Sequence, residues 1–181
     1  MGTRPATPSG TQEARFLLDT NICIYIRRKK PDQVLRRFRT LKQGEAGLSV
    51  ITFGELVYAV ERSAQWAKRG RESGSLTMFG MTSEEKSGSF FNARLPRDAQ
   101  RAAALELLRE LAEALPVMAL PETAAEAYGT IRAELERKGQ MIGNNDLWIA
   151  AHAKAAGLTL VTNNEREFRR VRRLKVENWT V

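Results

Sequence analysis

Short apolar segments alternate with helical patterns along most of this chain, and this order limits the folds open to it. In the helical patterns apolar residues recur every three or four positions, whereas the segments between them are short runs in which apolar residues predominate. These runs are RFLL from residue 15, GLSVI from residue 47, PVMAL from residue 116, LTLVT from residue 158 and LKVENW from residue 174. The alternation predicts an α/β fold, in which a mostly parallel sheet of about five short strands has helices on both faces.

Length and composition predict one domain with two appendages. At 181 residues the chain is long enough to bury a core without disulfides or a structural metal. Residues 1–14 are rich in Pro, Gly, Ser and Thr, so we expect a flexible tail followed by a single domain over residues 15–181. Within that domain, residues from about 65 to 98 mix Gly, Ser and charged residues without sustained periodicity. We interpret this stretch as a long flexible insertion.

The charge and the scarcity of histidine and cysteine restrict the chemistry. Lys and Arg number 29 against 21 Asp and Glu, and the net charge of +8 favours polyanionic partners such as nucleic acid. The single His and single Cys exclude a Cys/His zinc cluster, a catalytic pair of histidines and an intramolecular disulfide. The sequence has no recognisable signal peptide and no apolar run long enough to cross a bilayer. We therefore expect a cytoplasmic protein that does not associate with a membrane.

Acidic and amide residues follow several of the predicted strands. Asp19 comes after the first strand, Glu55 lies shortly after the second, Asn164 follows the fourth, and Asp146 begins the helix that leads into the fourth. The carboxyl ends of parallel strands meet at one edge of a sheet, where such folds bind ligands. Each residue alone has an ordinary explanation as a cap or turn residue, and Thr52 with Glu55 matches a helix capping box. Together they predict three carboxylates at one edge.

Carboxylates brought together in this way call for a cation. Neighbouring carboxylates repel one another and raise each other's pKa unless a positive charge neutralises them. Oxygen ligands without Cys or His select Mg²⁺ or Mn²⁺. A metal of this kind acidifies a bound water and stabilises the charge that develops on a phosphoryl group. The residues therefore favour metal-dependent hydrolysis of a phosphodiester on a protein whose exterior attracts polyanions.

Four segments of the sequence carry a resemblance to a known family. They are FLLDTNICIYI, LSVITFGELVYAVERSA, IRAELERKGQMIGNNDLWIAAHAKAAGLTLVTNNEREF and VENW. In this order they resemble the PIN-domain ribonucleases, and specifically the VapC toxins of type II toxin–antitoxin pairs. The resemblance covers about residues 16–64 and 101–181. The stretch at 65–98 departs from it, because the family usually joins these helices by a much shorter loop. Its aromatic residues leave open a role in stacking on RNA or contacting a partner.

The resemblance implies an α/β/α sandwich and a toxic endoribonuclease that hydrolyses RNA with Mg²⁺, for which Mn²⁺ is a possible substitute. Asp19, Glu55 and Asp146 would form the acidic triad. Asp19 and Asp146 would be ligands of the metal, and Glu55 would bind a second metal or orient the attacking water. The residues implied to hold these carboxylates by hydrogen bonds are Thr20, Asn21 and Thr162.

One position departs from the family pattern. Many PIN domains have a fourth acid two residues after the threonine that ends the fourth strand, and here that position is Asn164. An amide oxygen can bind a metal but brings no charge. We therefore include Asn164 among the candidate catalytic residues and consider Glu167, one helical turn further on, as a replacement for the missing acid.

The resemblance also implies partners and leaves one alternative function open. We expect an RNA substrate, a VapB-type antitoxin that covers the acidic pocket, and a homodimer. DNA would be contacted only indirectly, through the antitoxin. The alternative is a PIN-fold module that binds RNA or protein but is catalytically weak or inactive, as the long insertion and Asn164 would allow.

Overall fold

The computed structural model describes residues 14–69 and 96–181. Within these ranges the chain forms five strands and seven helices. The strands are β1 (Phe16–Leu18), β2 (Ala46–Ser49), β3 (Val117–Met118), β4 (Thr159–Val161) and β5 (Val176–Glu177). The helices are α1 (Thr20–Arg28), α2 (Asp32–Arg39), α3 (Val50–Arg69), α4 (Arg97–Ala114), α5 (Thr123–Arg137), α6 (Asn144–Ala155) and α7 (Glu165–Phe168). None of the helices in the described ranges is both long and apolar enough to cross a membrane.

The five strands form one sheet in the order β3-β2-β1-β4-β5, and every neighbouring pair is parallel. The first strand is central, with Phe16 opposite both Ala46 and Thr159. A central strand in a parallel sheet is buried on both faces, which explains why β1 is apolar at every position. This arrangement confirms the parallel sheet of five short strands predicted from the sequence.

Two apolar cores lie on opposite faces of this sheet. Successive side chains of a strand point to opposite faces. Accordingly Phe16 and Leu18 pack in one core and Leu17 in the other. The first core includes Ile22 and Cys23 of α1, Val34 of α2, Leu56 of α3 and Leu108 of α4. The second includes Ile131 and Leu135 of α5, Leu147 and Ile149 of α6, and Phe168 of α7. The predicted sandwich with helices on both faces of the sheet is confirmed.

The junction between β2 and α3 differs from the sequence prediction. Thr52 was expected to cap the helix, but the helix begins at Val50 and Thr52 lies buried in its first turn. Ser49 supplies the cap, since its Oγ accepts a hydrogen bond from the Ile51 amide at 3.2 Å. Its hydroxyl also lies 3.0 Å from Nδ1 of His152 in α6. The capping-box prediction is wrong because the helix, with its cap at Ser49 and not at Thr52, starts three residues earlier than the pattern indicated.

The two predicted appendages fall largely outside the described residues. For the insertion at 65–98, α3 continues to Arg69 and α4 begins at Arg97. Residues 70–95 and residues 1–13 lie outside the described ranges. The flexibility of the tail and of the insertion therefore stays a prediction.

Candidate active site

Asp19 directly follows the central strand and caps α1. It is only 5% exposed, and its backbone amide donates to the Val161 carbonyl of the neighbouring strand at 3.0 Å. Its Oδ1 accepts from the Thr20 amide and its Oδ2 from the Thr162 hydroxyl, each at 2.7 Å. Burial raises the pKa of Asp19 to about 6, although both hydrogen bonds act in the opposite direction. The carboxyl group is thus held in one orientation at the edge of the sheet.

Glu55 lies in the second turn of α3, and both of its carboxylate oxygens are hydrogen-bonded. Oε2 accepts from the hydroxyl of Thr20 in α1. Oε1 accepts from Nδ2 of Asn145 in α6 at 2.8 Å. Glu55 is also close enough to Asp19 for its negative charge to contribute to the raised pKa of that residue. Side chains of the three helices α1, α3 and α6 thus meet at this carboxylate.

Asp146 occupies the first turn of α6 and is half-buried. Burial, a hydrogen bond with the Glu167 side chain and the charges of Asp19, Glu167 and Glu55 together raise the pKa of Asp146 to about 8. Two carboxyl groups can form a hydrogen bond only if one of them is protonated. The raised pKa means that Asp146 binds its proton more tightly than an ordinary carboxyl does, and a divalent cation bound among these residues would compete with that proton.

The residues predicted to support the carboxylates make different contacts. Thr20 and Thr162 donate directly to Glu55 and Asp19, as described above. Asn21 instead donates from Nδ2 to Oδ1 of Asn163 at 3.1 Å, in the loop after β4. Nδ2 of Asn163 in turn donates to the hydroxyl of Tyr25 at 2.9 Å. Asn21 therefore contributes by fixing the neighbouring loop to α1 and not by contacting a carboxylate.

Asn164 and Glu167 are placed differently with respect to the acidic residues. The backbone amide of Asn164 donates to Oγ1 of Thr162 at 2.9 Å, and its side chain makes no capping hydrogen bond to α7. Glu167, one turn further along, forms the hydrogen bond with Asp146. Of these two side chains, the one for which the structure shows an interaction with Asp146 is that of Glu167.

Two residues of this network are missing from the sequence prediction. Asn145 bonds to Glu55, and its only signal in the sequence is its position directly before Asp146. Tyr25 bonds to Asn163, and its signal is its spacing of four residues from Asn21, which places both on one side of α1. Neither signal is specific, because the partner of each side chain lies far away in the sequence.

The aromatic residue of α6 lies on another side of this helix. The Trp148 ring stacks on Tyr128 of α5, with ring centroids 4.0 Å apart and planes inclined by 18°. The Tyr128 hydroxyl donates to Oδ1 of Asn144 at 2.9 Å. Asn144 and Trp148 are four residues apart on one face, whereas Asp146 is two residues from each and points elsewhere. The stack thus joins α6 to α5 on a face of α6 that does not include Asp146.

The family of this chain follows from its similarity to known proteins. The PIN-domain family model matches residues 16–174, a range that includes Asp19, Glu55, Asp146 and Glu167. The chain belongs to the PIN-domain family. This membership confirms the resemblance found in the sequence.

Among its relatives in the PIN-domain family are VapC ribonucleases. The tRNA(fMet)-specific endonuclease VapC of Shigella flexneri is 34% identical over 166 residues, which cover 92% of this chain and 98% of the relative. Ribonuclease VapC2 of Haemophilus influenzae (strain ATCC 51907 / DSM 11121 / KW20 / Rd) is 32% identical over 165 residues, covering 91% and 98%. The crystal structure of DNA-bound VapBC from Salmonella typhimurium matches with a TM-score of 0.67 and 31% identity, covering 92% and 98%. The chain is a VapC-type PIN domain.

The donor set of this PIN domain fits a divalent metal. Among the described residues no group of three His, Cys, Asp or Glu side chains is already arranged as a metal cluster. The acidic side chains nevertheless interact closely enough to raise the pKa of Asp19 and of Asp146, and Asp146 shares a hydrogen bond with Glu167. Hard carboxylate oxygens that repel one another are ligands suited to Mg²⁺ or Mn²⁺.

Proposed function

We propose that this chain is the toxin of a VapBC-type toxin–antitoxin pair and that it cleaves RNA by metal-dependent hydrolysis. The observation that carries the proposal is the convergence of Asp19, Glu55 and Asp146, which come from three parts of the chain. Glu55 is hydrogen-bonded to Thr20 and Asn145, the residues next to Asp19 and Asp146 in the sequence. The charges of Asp19 and Glu55 also raise the pKa of Asp146, which supports the proximity of the three carboxyl groups. The relatives named above as VapC ribonucleases support the same activity.

The proposed roles follow from how each carboxylate is held. Asp19 and Asp146 are the ligands of Mg²⁺, which Mn²⁺ can replace. Both lie at the N-terminal ends of helices, whose positive poles favour the ionised form of a carboxyl group, and the ionised form is the one that binds a metal. Bound there, the metal would acidify a water and stabilise the charge on the phosphoryl oxygens. Glu55 is fixed by Thr20 and Asn145, so it can orient the attacking water or bind a second ion.

We assign the fourth acidic position to Glu167. Asn164, a candidate from its place in the sequence, brings no negative charge. Glu167 supplies a carboxylate that already contacts Asp146. A divalent cation that binds beside Asp146 would compete with the proton of that residue, and both carboxylates would then be available to the ion or to its bound waters.

The partners are part of the same proposal. Relatives of this chain have been solved as VapBC complexes, and some of these are bound to DNA. We expect a VapB-type antitoxin that covers the acidic pocket and contacts DNA, so that this chain meets DNA only indirectly. We also expect a homodimer and a cytoplasmic location, where RNA is accessible. The positive net charge of +8 supports the approach of an RNA substrate.

The test is cleavage of a structured RNA by the purified chain. Cleavage should occur with Mg²⁺ or Mn²⁺, stop in EDTA and be lost in Asp19→Asn, with thermal unfolding measured to show that the variant is folded. We expect water activated by the metal to attack the phosphorus while the P–O3′ bond breaks, which leaves a 5′-phosphate on one product and a 3′-hydroxyl on the other. No cyclic phosphate forms, because the RNA 2′-hydroxyl takes no part. A 2′,3′-cyclic phosphate would contradict this mechanism. RNA binding without metal-dependent cleavage would instead favour the inactive binding module.

A further inference from the structure

Gly143 is placed where a glycine is not required by the backbone. It immediately precedes α6, with φ −56° and ψ 148°. These angles are open to any residue, so the conformational freedom of glycine does not explain its presence. The reason for a glycine at this position lies in the space that a side chain would occupy.

That space is bordered by one residue. A Cβ added to Gly143 would lie 3.2 Å from Oδ2, 3.5 Å from Cγ and 3.9 Å from Cβ of Asp146, and these are its three nearest neighbours. A Cβ added to Gly54 in α3 or to Gly129 in α5 would meet nothing within 4 Å. Gly143 therefore differs from these two helical glycines, and the group its Cβ would meet belongs to the candidate site. The Asp146 side chain folds back over the start of its own helix, directly above the glycine.

The missing side chain has a second consequence at the helix terminus. Ser, Thr, Asp or Asn usually precede a helix, because their side chains accept hydrogen bonds from the first backbone amides. Gly143 makes no such bond; only its carbonyl takes part, accepting from the Leu147 amide at 2.9 Å. The space above the first turn is thereby left to the Asp146 carboxylate, where the positive end of the helix dipole favours negative charge.

We propose that Gly143 is a positioning residue for the metal site, because its lack of a side chain lets the Asp146 carboxylate lie back over the first turn of α6. The inference rests on the proposed function, in which Asp146 is a metal ligand. A Cβ at this position is closer to Oδ2 than an ordinary van der Waals contact, so Asp146 must rotate or shift to accommodate it. A displaced carboxylate binds the metal less well.

The experiment compares Gly143→Ser and Gly143→Ala with the wild-type chain, using Mn²⁺ alone as the probe. Calorimetric titration should show Mn²⁺ affinity weakened by about tenfold in both variants, the lower end of the usual cost of disturbing the surroundings of a metal ligand. Thermal unfolding without metal should be unchanged or higher in Gly143→Ser, because serine is a better helix cap. A glycine with a purely structural role would give the opposite pattern, with lower thermal stability and unchanged affinity.

Two further variants make the outcome decisive. Gly129→Ser is the matched control, since its side chain would enter open space in α5, and it should bind Mn²⁺ as the wild type does. Asp146→Asn should lose the binding. If the wild type binds Mn²⁺, Asp146→Asn does not, and both Gly143 variants bind like the wild type, the inference is overturned while the proposed function stands. If the wild type binds no Mn²⁺, the proposed function fails and the inference fails with it.

Discussion

The hydroxyl of Thr20 donates a hydrogen bond to the carboxylate of Glu55, across 35 positions of sequence. Thr20 is the first residue of α1, and Glu55 lies in α3. The backbone amide of the same threonine donates to Asp19. One residue thus sets the relative position of two of the three acids of the candidate site, and its hydroxyl can be removed with little change of shape.

We expect Thr20→Val to lower the rate of RNA cleavage by about tenfold or more, because Glu55 keeps only its bond to Asn145. The free energy of unfolding should fall by about 1 kcal/mol, the usual cost of one hydrogen bond. Single-turnover cleavage and denaturant unfolding measure the two effects. Thr130→Val is the control, since the Thr130 hydroxyl bonds only within its own helix, to the Glu126 carbonyl. Equal losses in the two variants would contradict a specific role for Thr20.

A second expectation concerns Thr162 and the pKa of Asp19. The hydrogen bond from the Thr162 hydroxyl lowers the pKa of this buried carboxyl, so removing it should move the pKa upward from about 6. In Thr162→Val the metal must then compete with a more tightly held proton. A given affinity for Mn²⁺ should therefore be reached only at a higher pH than in the wild type. Calorimetric titrations at several pH values measure the shift. An unchanged pH dependence would show that the hydroxyl does not control the proton on Asp19.

The sequence was sufficient to predict the sheet and the convergence of the acids. Continuous apolar runs such as Phe16–Leu18 occur where a strand is buried on both faces, and strands that alternate with helices are parallel. Parallel strands direct their carboxyl ends to one edge, which is why Asp19 and the residues after β2 and β4 could be expected together. Local sequence patterns and one rule of topology are enough to place these residues at the same edge.

The individual contacts were not predictable, because each depends on partners far apart in the sequence. Ser49 and Thr52 are chemically similar candidates for the α3 cap, and only the tertiary fold shows that Ser49 is also within hydrogen-bonding distance of His152. Asn145 meets Glu55 across 90 positions. Glu167 interacts with Asp146 although the two residues belong to different helices, and no spacing in the sequence encodes this contact.

The raised pKa values of Asp19 and Asp146 predict how stability depends on pH in the absence of metal. A carboxyl whose pKa is higher in the folded state than its ordinary value of about 3.8 binds protons more tightly when folded. Its contribution to stability is complete below about pH 4 and is lost as the pH rises through the folded-state values of about 6 and about 8.

We therefore expect Mg²⁺ to stabilise the chain increasingly as the pH rises from about 5 to about 8, because the cation replaces the protons that are lost. Thermal unfolding with and without Mg²⁺ across this range measures the difference. In Asp146→Asn the difference should be much smaller, since this residue has no proton to lose. A Mg²⁺ effect that stays constant with pH in the wild type would contradict the proposed competition between protons and metal.

Substitution of Glu167 tests whether this residue replaces the acid that is missing at Asn164. Glu167→Gln removes the charge that Glu167 brings to Asp146 but keeps the size of the side chain, so metal-dependent cleavage should fall about as much as in Asp146→Asn. Glu165→Gln is a matched control in the same short helix, because Glu165 bonds to Asn178 and not to the acidic residues. Cleavage rates at several Mg²⁺ concentrations separate a loss of metal affinity from a loss of turnover. If Glu167→Gln and Glu165→Gln both cleave like the wild type, Glu167 has no part in the site, and the metal is held without a fourth carboxylate.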